Sequence, residues 1–335
     1  MDYVSFPGLG WQFNVSQEIY SFTIGGHEFS IRWYGLLIAL GFLLAVVYAY
    51  RRAGEFRISK DAMTDVVLVC TLFAFAGARL YYVIFSEDRA AYFSDPLSIL
   101  RVWEGGLAIY GGVIGAFVTA LWMCPLKKVD TMRMFDLAAP GFLIGQAIGR
   151  WGNFFNQEAF GGNTTLPWGM TGSIIGSPYA NATGYEPTQP VHPTFLYESL
   201  WCLLGLLLLH IVSKKAYRFR GQLFSLYIMW YGTGRFFIEQ LRTDSLYIGT
   251  MPVSCLVAAV SVVGGLVLYF VLKNRDARSP KDLFADEPLP ADGEILPSGE
   301  AEGEQAAEEV AQEEVVEELA DAVPVEEEDT HGNQN

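Results

Sequence analysis

Trp33–Tyr50 reads WYGLLIALGFLLAVVYAY, eighteen residues without a charge, stopped by Arg51 and Arg52. Crossing the hydrocarbon core of a bilayer takes about 17–25 apolar residues as a helix. A buried helix of a water-soluble protein usually keeps a polar face, and Ile38–Val47 has none. The segment therefore predicts a membrane span. Six more follow by the same criterion: Ala62–Phe85, Leu107–Cys124, Met134–Trp151, Thr194–Val212, Gln222–Leu241 and Pro252–Leu272. The expected fold class is all-α, a polytopic integral membrane protein of about seven transmembrane helices.

Composition agrees once it is divided. The 335 residues are 51% hydrophobic yet carry a net charge of −15. Residues 282–335 hold 19 Asp and Glu and no Lys or Arg, so residues 1–281 have 22 basic against 18 acidic side chains, a net of +4. The expected division is a transmembrane domain over 1–281, with an irregular outer head over about 152–193, and an acidic, disordered cytoplasmic tail over 282–335. No basic face suits nucleic acid. Cys70, Cys124, Cys202 and Cys255 lie in apolar runs without paired spacing, which excludes a disulfide scaffold. The four histidines, His27, His192, His210 and His331, lack ligand spacing, and no phosphate-binding loop is present, so neither a metal nor another cofactor is expected.

Fifteen Lys and Arg follow spans one, three, five and seven, whereas the opposite loops carry only Arg32, Arg89, Arg101 and Arg242. Positive residues stay on the cytoplasmic side, which puts the N-terminus outside and the C-terminus inside. Residues 1–31 lack a basic start, an apolar core and a small-residue cleavage site, so a cleavable leader is not expected there. Asn163 and Asn181 begin short glycosylation-like triplets, a pattern common by chance.

Three arginines remain within spans: Arg79, Arg150 and Arg235. A mid-bilayer Arg costs about 2.5–3.5 kcal/mol on insertion scales. All three fall in the outer half, level with Tyr34, Tyr110, Tyr197 and Glu198, and with His192 just before span five. Arg79 is also open to snorkelling towards the headgroups, and Arg235 to an ion pair with Glu239 one turn on. Two arginines in an apolar, outward-facing cavity suit a phosphate, whose oxygens match the two-pronged guanidinium. At that depth the abundant phosphates belong to lipids.

Gly149-Arg150-Trp151-Gly152-Asn153-Phe154-Phe155-Asn156-Gln157-Glu158-Ala159-Phe160-Gly161 resembles the signature of bacterial prolipoprotein diacylglyceryl transferases. Further blocks agree: Arg32-Trp33-Tyr34-Gly35; Gly105-Gly106-Leu107-Ala108-Ile109-Tyr110-Gly111-Gly112; His192-Pro193-Thr194 with Tyr197-Glu198; and Gly234-Arg235-Phe236 with Glu239 and Arg242. The resemblance covers about residues 30–272 and excludes the acidic tail. It implies a bacterial inner-membrane enzyme that moves a diacylglyceryl group from phosphatidylglycerol to the lipobox cysteine of a prolipoprotein signal peptide, with surrounding membrane lipids as its other partners. It also implies functional roles for Tyr34, Arg150, Asn153, Glu158, Gly161, Arg235 and Glu239, with Arg150 on the lipid phosphate. Many relatives have a histidine, cast as the base, where this chain has Tyr110. With a reference pKa near 10, a tyrosine is mostly protonated at neutral pH, which favours Tyr110 as a hydrogen-bond donor to phosphate. His192 is a further candidate for substrate binding. The glycines of the Tyr110 block are expected to allow close helix packing. The competing reading is an outer-leaflet anionic lipid transporter or flippase, which predicts polar groups through both halves of the membrane.

Overall fold

The computed structural model describes residues 2–24, 27–87, 89–102, 105–177, 180, 182–245, 247–249 and 251–277. The expected tail over 282–335 and the Asn181 triplet's first residue lie outside the described residues.

Every apolar stretch becomes a helix: α1 (Trp33–Arg52), α2 (Lys60–Phe85), then a short α3 (Arg89–Ser94), α4 (Ile109–Leu126), α5 (Thr131–Asn156), α6 (Thr194–Lys215), α7 (Gln222–Glu239) and α8 (Val253–Ala277). Ser59 and Asp130 start α2 and α5 by accepting from the Ala62 and Arg133 N–H groups at 3.2 and 2.9 Å, which satisfies amides that a helix start leaves unpaired. At the start of α7 the buried carboxylate of Asp136 accepts from the Gly221 and Phe224 N–H groups at 2.6 and 2.8 Å, and from the Tyr217 hydroxyl at 2.6 Å.

Among the described residues α1, α2, α4, α6 and α8 are long and apolar enough to cross a membrane. Large apolar side chains such as Leu43, Leu68, Val118, Leu200 and Val263 stand exposed along them, as on a surface facing hydrocarbon. The molecule is a multi-pass membrane protein. Helices α5 and α7 are less apolar, because Arg133, Asp136, Gln146, Arg150 and Asn153 lie on the first and Gln222, Arg235 and Glu239 on the second. They are also the inner helices: α5 packs against α1, α6 and α7, while α2 pairs with α4 and α8 covers α7.

Small residues let these pairs approach. A Cβ at Gly41 would lie 3.2 Å from the Gly145 Cα, and one at Gly77 would lie 2.5 Å from the Gly111 carbonyl oxygen. Of the glycines expected to serve helix packing, Gly111 does so. Gly105 and Gly106 do not: they precede α4 with φ of +92° and +76°, a loop conformation that suits glycine.

Arg79 explains that loop. Its side chain is buried and donates to the carbonyls of Ser98, Ile99, Gly105 and Gly106 at 2.7–3.0 Å. The guanidinium therefore pins the α2–α4 connection to α2. Snorkelling is ruled out for this residue, and its charge serves structure.

The fold is mostly helical, which corrects the all-α expectation. β1 (Asp2–Phe6), β2 (Trp11–Val15) and β5 (Thr171–Gly172) form an antiparallel sheet in the order β2-β1-β5; β3 (Glu18–Ile24) pairs with β4 (His27–Arg32), and β6 (Tyr247–Ile248) with β7 (Met251–Pro252). The segment 152–193, expected as an irregular head, is largely without regular elements beyond the end of α5 and the short β5. Its Phe154, Phe160, Met170, Ile175 and Val191 bury against Val4, Phe6 and Val15 of the first hairpin, making a small core of its own. Asn163, first residue of the other glycosylation-like triplet, donates its amide to the Glu186 and Gln189 carbonyls at 2.9 and 3.3 Å, so the side chain is already committed.

Candidate functional site

Two helices carry Arg150 and Arg235, and a third supplies what holds them. Helix α6 places Glu198 between them. The buried Glu198 carboxylate lies 2.7 Å from Arg150 Nη2 on α5 and 3.2 Å from Arg235 Nη1 on α7. On the other side of Arg235, Glu239 stands 2.6 Å from Nη2, one helical turn on. Just past α7, Arg242 lies 3.5 Å from Glu198 and 2.7 Å from Asp244, and Ser245 donates to Glu239 at 2.8 Å. Three guanidiniums thus face three carboxylates. Matching opposite charges lowers the cost of burying the arginines. A guanidinium has five N–H donors, and Arg150 and Arg235 each spend two within the cluster, on Asn153 and Glu198 and on Glu198 and Glu239. Both side chains remain partly accessible, at 21% and 17%. Capacity to bind an anion remains.

The two helices are set in register by reciprocal tryptophans. Trp201 of α6 and Trp230 of α7 stack at 4.2 Å, each donating its indole N–H to the other's carbonyl at 3.0 Å. Gly205 and Gly234 face these rings, where a Cβ would collide. Gly234 precedes Arg235, so this contact fixes the helix at the point that carries the charge.

The signature segment supplies the second layer. Asn153 is buried at the end of α5 and accepts from Arg150 Nη1 at 3.5 Å. Its amide donates to Glu158 at 2.9 Å, and Asn156 donates to the same oxygen at 3.2 Å. The exposed Glu158 therefore orients Asn153, which in turn faces Arg150. Gln157 and Ala159 flank it with left-handed φ of +51° and +58°, the sharp turn that ends α5. Tyr34 enters from the first turn of α1, its ring against Gly152, where a Cβ would strike it. Trp33 beside it stacks on Phe155 at 4.8 Å. The α1 start is thus clasped to the last turn of α5, level with Arg150.

Three sequence-predicted residues fall elsewhere. Gly161 is packed between His192 and Leu241, where a Cβ would lie 2.8 Å from the first's Cβ and the second's carbonyl oxygen. Its N–H donates to the His192 carbonyl at 2.9 Å. That position ties the head to the end of α7. The His192 ring bonds Tyr197, 3.1 Å away, and Trp168 donates to the same hydroxyl at 2.9 Å. Burial holds the His192 imidazole below its ordinary pKa. Tyr110, in the first turn of α4, is exposed beside Tyr81, and no hydrogen bond joins it to the arginines among the described residues.

Sequence reasoning identifies Glu198 by its depth and its family block and places Arg242 in a loop beside another such block; their role as bridges depends on contacts across α5, α6 and α7. Tyr231 is missed altogether, although it stands one turn before Arg235 within the field of both arginines; that i,i+4 spacing is a usable signal. Polar groups also continue below the cluster. Gln146 donates to Tyr227 at 2.9 Å, and Tyr48 bonds His210, 2.9 Å apart. Polar groups are therefore not confined to the level of the arginines.

A family model described as prolipoprotein diacylglyceryl transferase matches residues 20–271. A relative from Clostridium perfringens, named phosphatidylglycerol–prolipoprotein diacylglyceryl transferase 1, is 42% identical over 267 residues, covering 79% of this chain and 98% of that protein. The similarly named protein of Finegoldia magna is 43% identical over 77% of this chain and 97% of its own, and that of Halalkalibacterium halodurans 39% over 79% and 90%.

Proposed function

The chain belongs to the prolipoprotein diacylglyceryl transferase family, and from that premise we propose how its residues carry out the transfer from phosphatidylglycerol to a prolipoprotein. The acceptor is the lipobox cysteine of the signal peptide. Its thiolate attacks the glyceryl carbon of phosphatidylglycerol. The sulfur–carbon bond forms, the carbon–oxygen bond to phosphate breaks, and glycerol phosphate departs with the electron pair. The thiol's proton leaves to a base before or during attack. Phosphate charge grows from one negative towards two, and donors fixed in advance at that position stabilise the transition state more than the substrate. The convergence of Arg150 and Arg235 on one carboxylate supports this assignment most directly. Arg150 holds the phosphate, Asn153 and Glu158 keep it aimed, and Glu198 and Glu239 hold Arg235. Gly161 and His192 shape the head over the site.

The seven long helices all cross the membrane. The basic loops face the cytoplasm, the N-terminus and head face outward, and the membrane is the bacterial inner one. The deciding experiment combines purified protein, phosphatidylglycerol vesicles and a lipobox peptide. The peptide mass should rise by one diacylglyceryl group, and an unmodified peptide with well-folded protein would refute the assignment.

Tyr110 donates a hydrogen bond to the phosphate and is not the base. Tyr110→His should therefore remain active, whereas Tyr110→Phe loses activity with no shift in its pH–rate profile. A Phe variant rescued at high pH, where the thiol ionises unaided, would make Tyr110 the base. Residues 282–335 lie outside the matched family region. Truncation after Lys281 should leave the transfer rate unchanged in the same mass assay.

A further inference from the structure

The β3–β4 hairpin has two unlike faces. Tyr20 pairs with Ile31 and Phe22 with Phe29, and directly opposed residues of an antiparallel pair share a face. Over Tyr20, Phe22, Phe29 and Ile31 that face is aromatic and aliphatic: Phe22 stacks on Phe29 at 5.8 Å and on Tyr20 at 6.1 Å. The alternate positions fall on the other face, where Ser21 pairs with Ser30 and Thr23 with Glu28. No described element covers the apolar face. Tyr20 is 63% exposed, Ile31 48% and Phe29 40%. A lone two-stranded hairpin is marginal in water, so a face of this kind calls for an apolar environment.

Its position identifies that environment. β4 ends at Arg32 and α1 begins at Trp33 without a break. The Trp33 N–H donates to the Gln17 carbonyl at 3.1 Å, and Arg32 pairs with Glu18 at 3.4 Å, so the hairpin's root is tied to the mouth of the span. Leu36, Leu40 and Leu43 of α1 are likewise exposed, on a helix that crosses the membrane. The apolar face of the hairpin therefore continues the lipid-facing surface at the height of the headgroups. Aromatic rings favour that zone. Water there can satisfy the hairpin's two unpaired outer edges, which the hydrocarbon core cannot.

We infer that the β3–β4 hairpin lies on the head-side leaflet, with Tyr20, Phe22, Phe29 and Ile31 in the lipid interface and Ser21, Thr23 and Ser30 towards water. It would set the depth of the α1 start, and with it that of Tyr34. The inference rests on the membrane character of the chain and stands whether or not the transfer mechanism holds.

The test uses the full chain in vesicles of phosphatidylglycerol and phosphatidylethanolamine. Phe29→Cys and Ser30→Cys are each labelled with an environment-sensitive fluorophore. Tyr20→Cys and Ser21→Cys provide a second pair at exposed sites, and the unsubstituted chain reports background labelling of the native cysteines. Labels at 29 and 20 should be quenched several-fold more by a nitroxide near the headgroup end of a lipid chain than labels at 30 and 21, with the reverse order for aqueous iodide. Equal quenching at the two faces would overturn the inference. So would labels at 29 and 20 shielded from both quenchers, since protein would then cover the face.

Discussion

Arg150→Lys should cut transfer about 10²–10³-fold, the loss seen when one preorganised donor is removed from a developing oxyanion. Lysine keeps the positive charge and can still meet Glu198, so the bundle should fold. What it loses is the planar fork that spans Glu198 and Asn153 while presenting further N–H groups to a phosphate. The measurement is the rate of peptide mass increase in phosphatidylglycerol vesicles, with thermal melting of the purified protein as the check on folding. An unchanged rate in a folded Arg150→Lys protein would remove Arg150 from the phosphate.

Glu198→Gln should produce the largest loss of stability. Glu198 touches three guanidiniums from α5, α7 and the segment after α7. Its removal leaves positive charge in the bundle without its shared partner, and breaking a buried pair from one side costs about 3–5 kcal/mol. Thermal melting in detergent should fall accordingly, and transfer with it, because Arg150 and Arg235 lose the carboxylate that sets their separation. Glu198→Asp keeps the charge and should recover part of the melting temperature. If Glu198→Gln melts like the unsubstituted protein, the carboxylate is not what holds the cluster.

How far these conclusions can be read from sequence differs by element. Helix positions follow from apolar length and flanking basic residues, so Trp33, Thr194 and Gln222 are correct first residues for α1, α6 and α7. The level of Arg150, Arg235 and Glu198 follows from counting residues along alternating spans. Which carboxylate meets which guanidinium does not, because the three partners lie on separate helices, α5, α6 and α7, whose packing no local pattern encodes. Arg79 shows the limit most clearly: its acceptors are backbone carbonyls of a loop, invisible to any pattern of side chains. The β3–β4 hairpin is the opposite case. The alternation Tyr20-Ser21-Phe22-Thr23-Ile24 and Phe29-Ser30-Ile31 around Gly25-Gly26 is a hairpin signal in its own right, overshadowed by the stronger apolar runs beside it.

The polarity of α5 and α7 bears on how the protein is made. A segment leaves the insertion machinery for lipid according to its own hydrophobicity, and these two helices carry the groups that resist that step. Each is followed or preceded in the chain by a strongly apolar helix, α4 before α5, and α6 before and α8 after α7. On the seven-span arrangement proposed above, α5 is expected to wait at the insertion site until α6 has emerged with Glu198, and α7 until it can pair with both. The order of the chain then favours delivery in groups over delivery helix by helix.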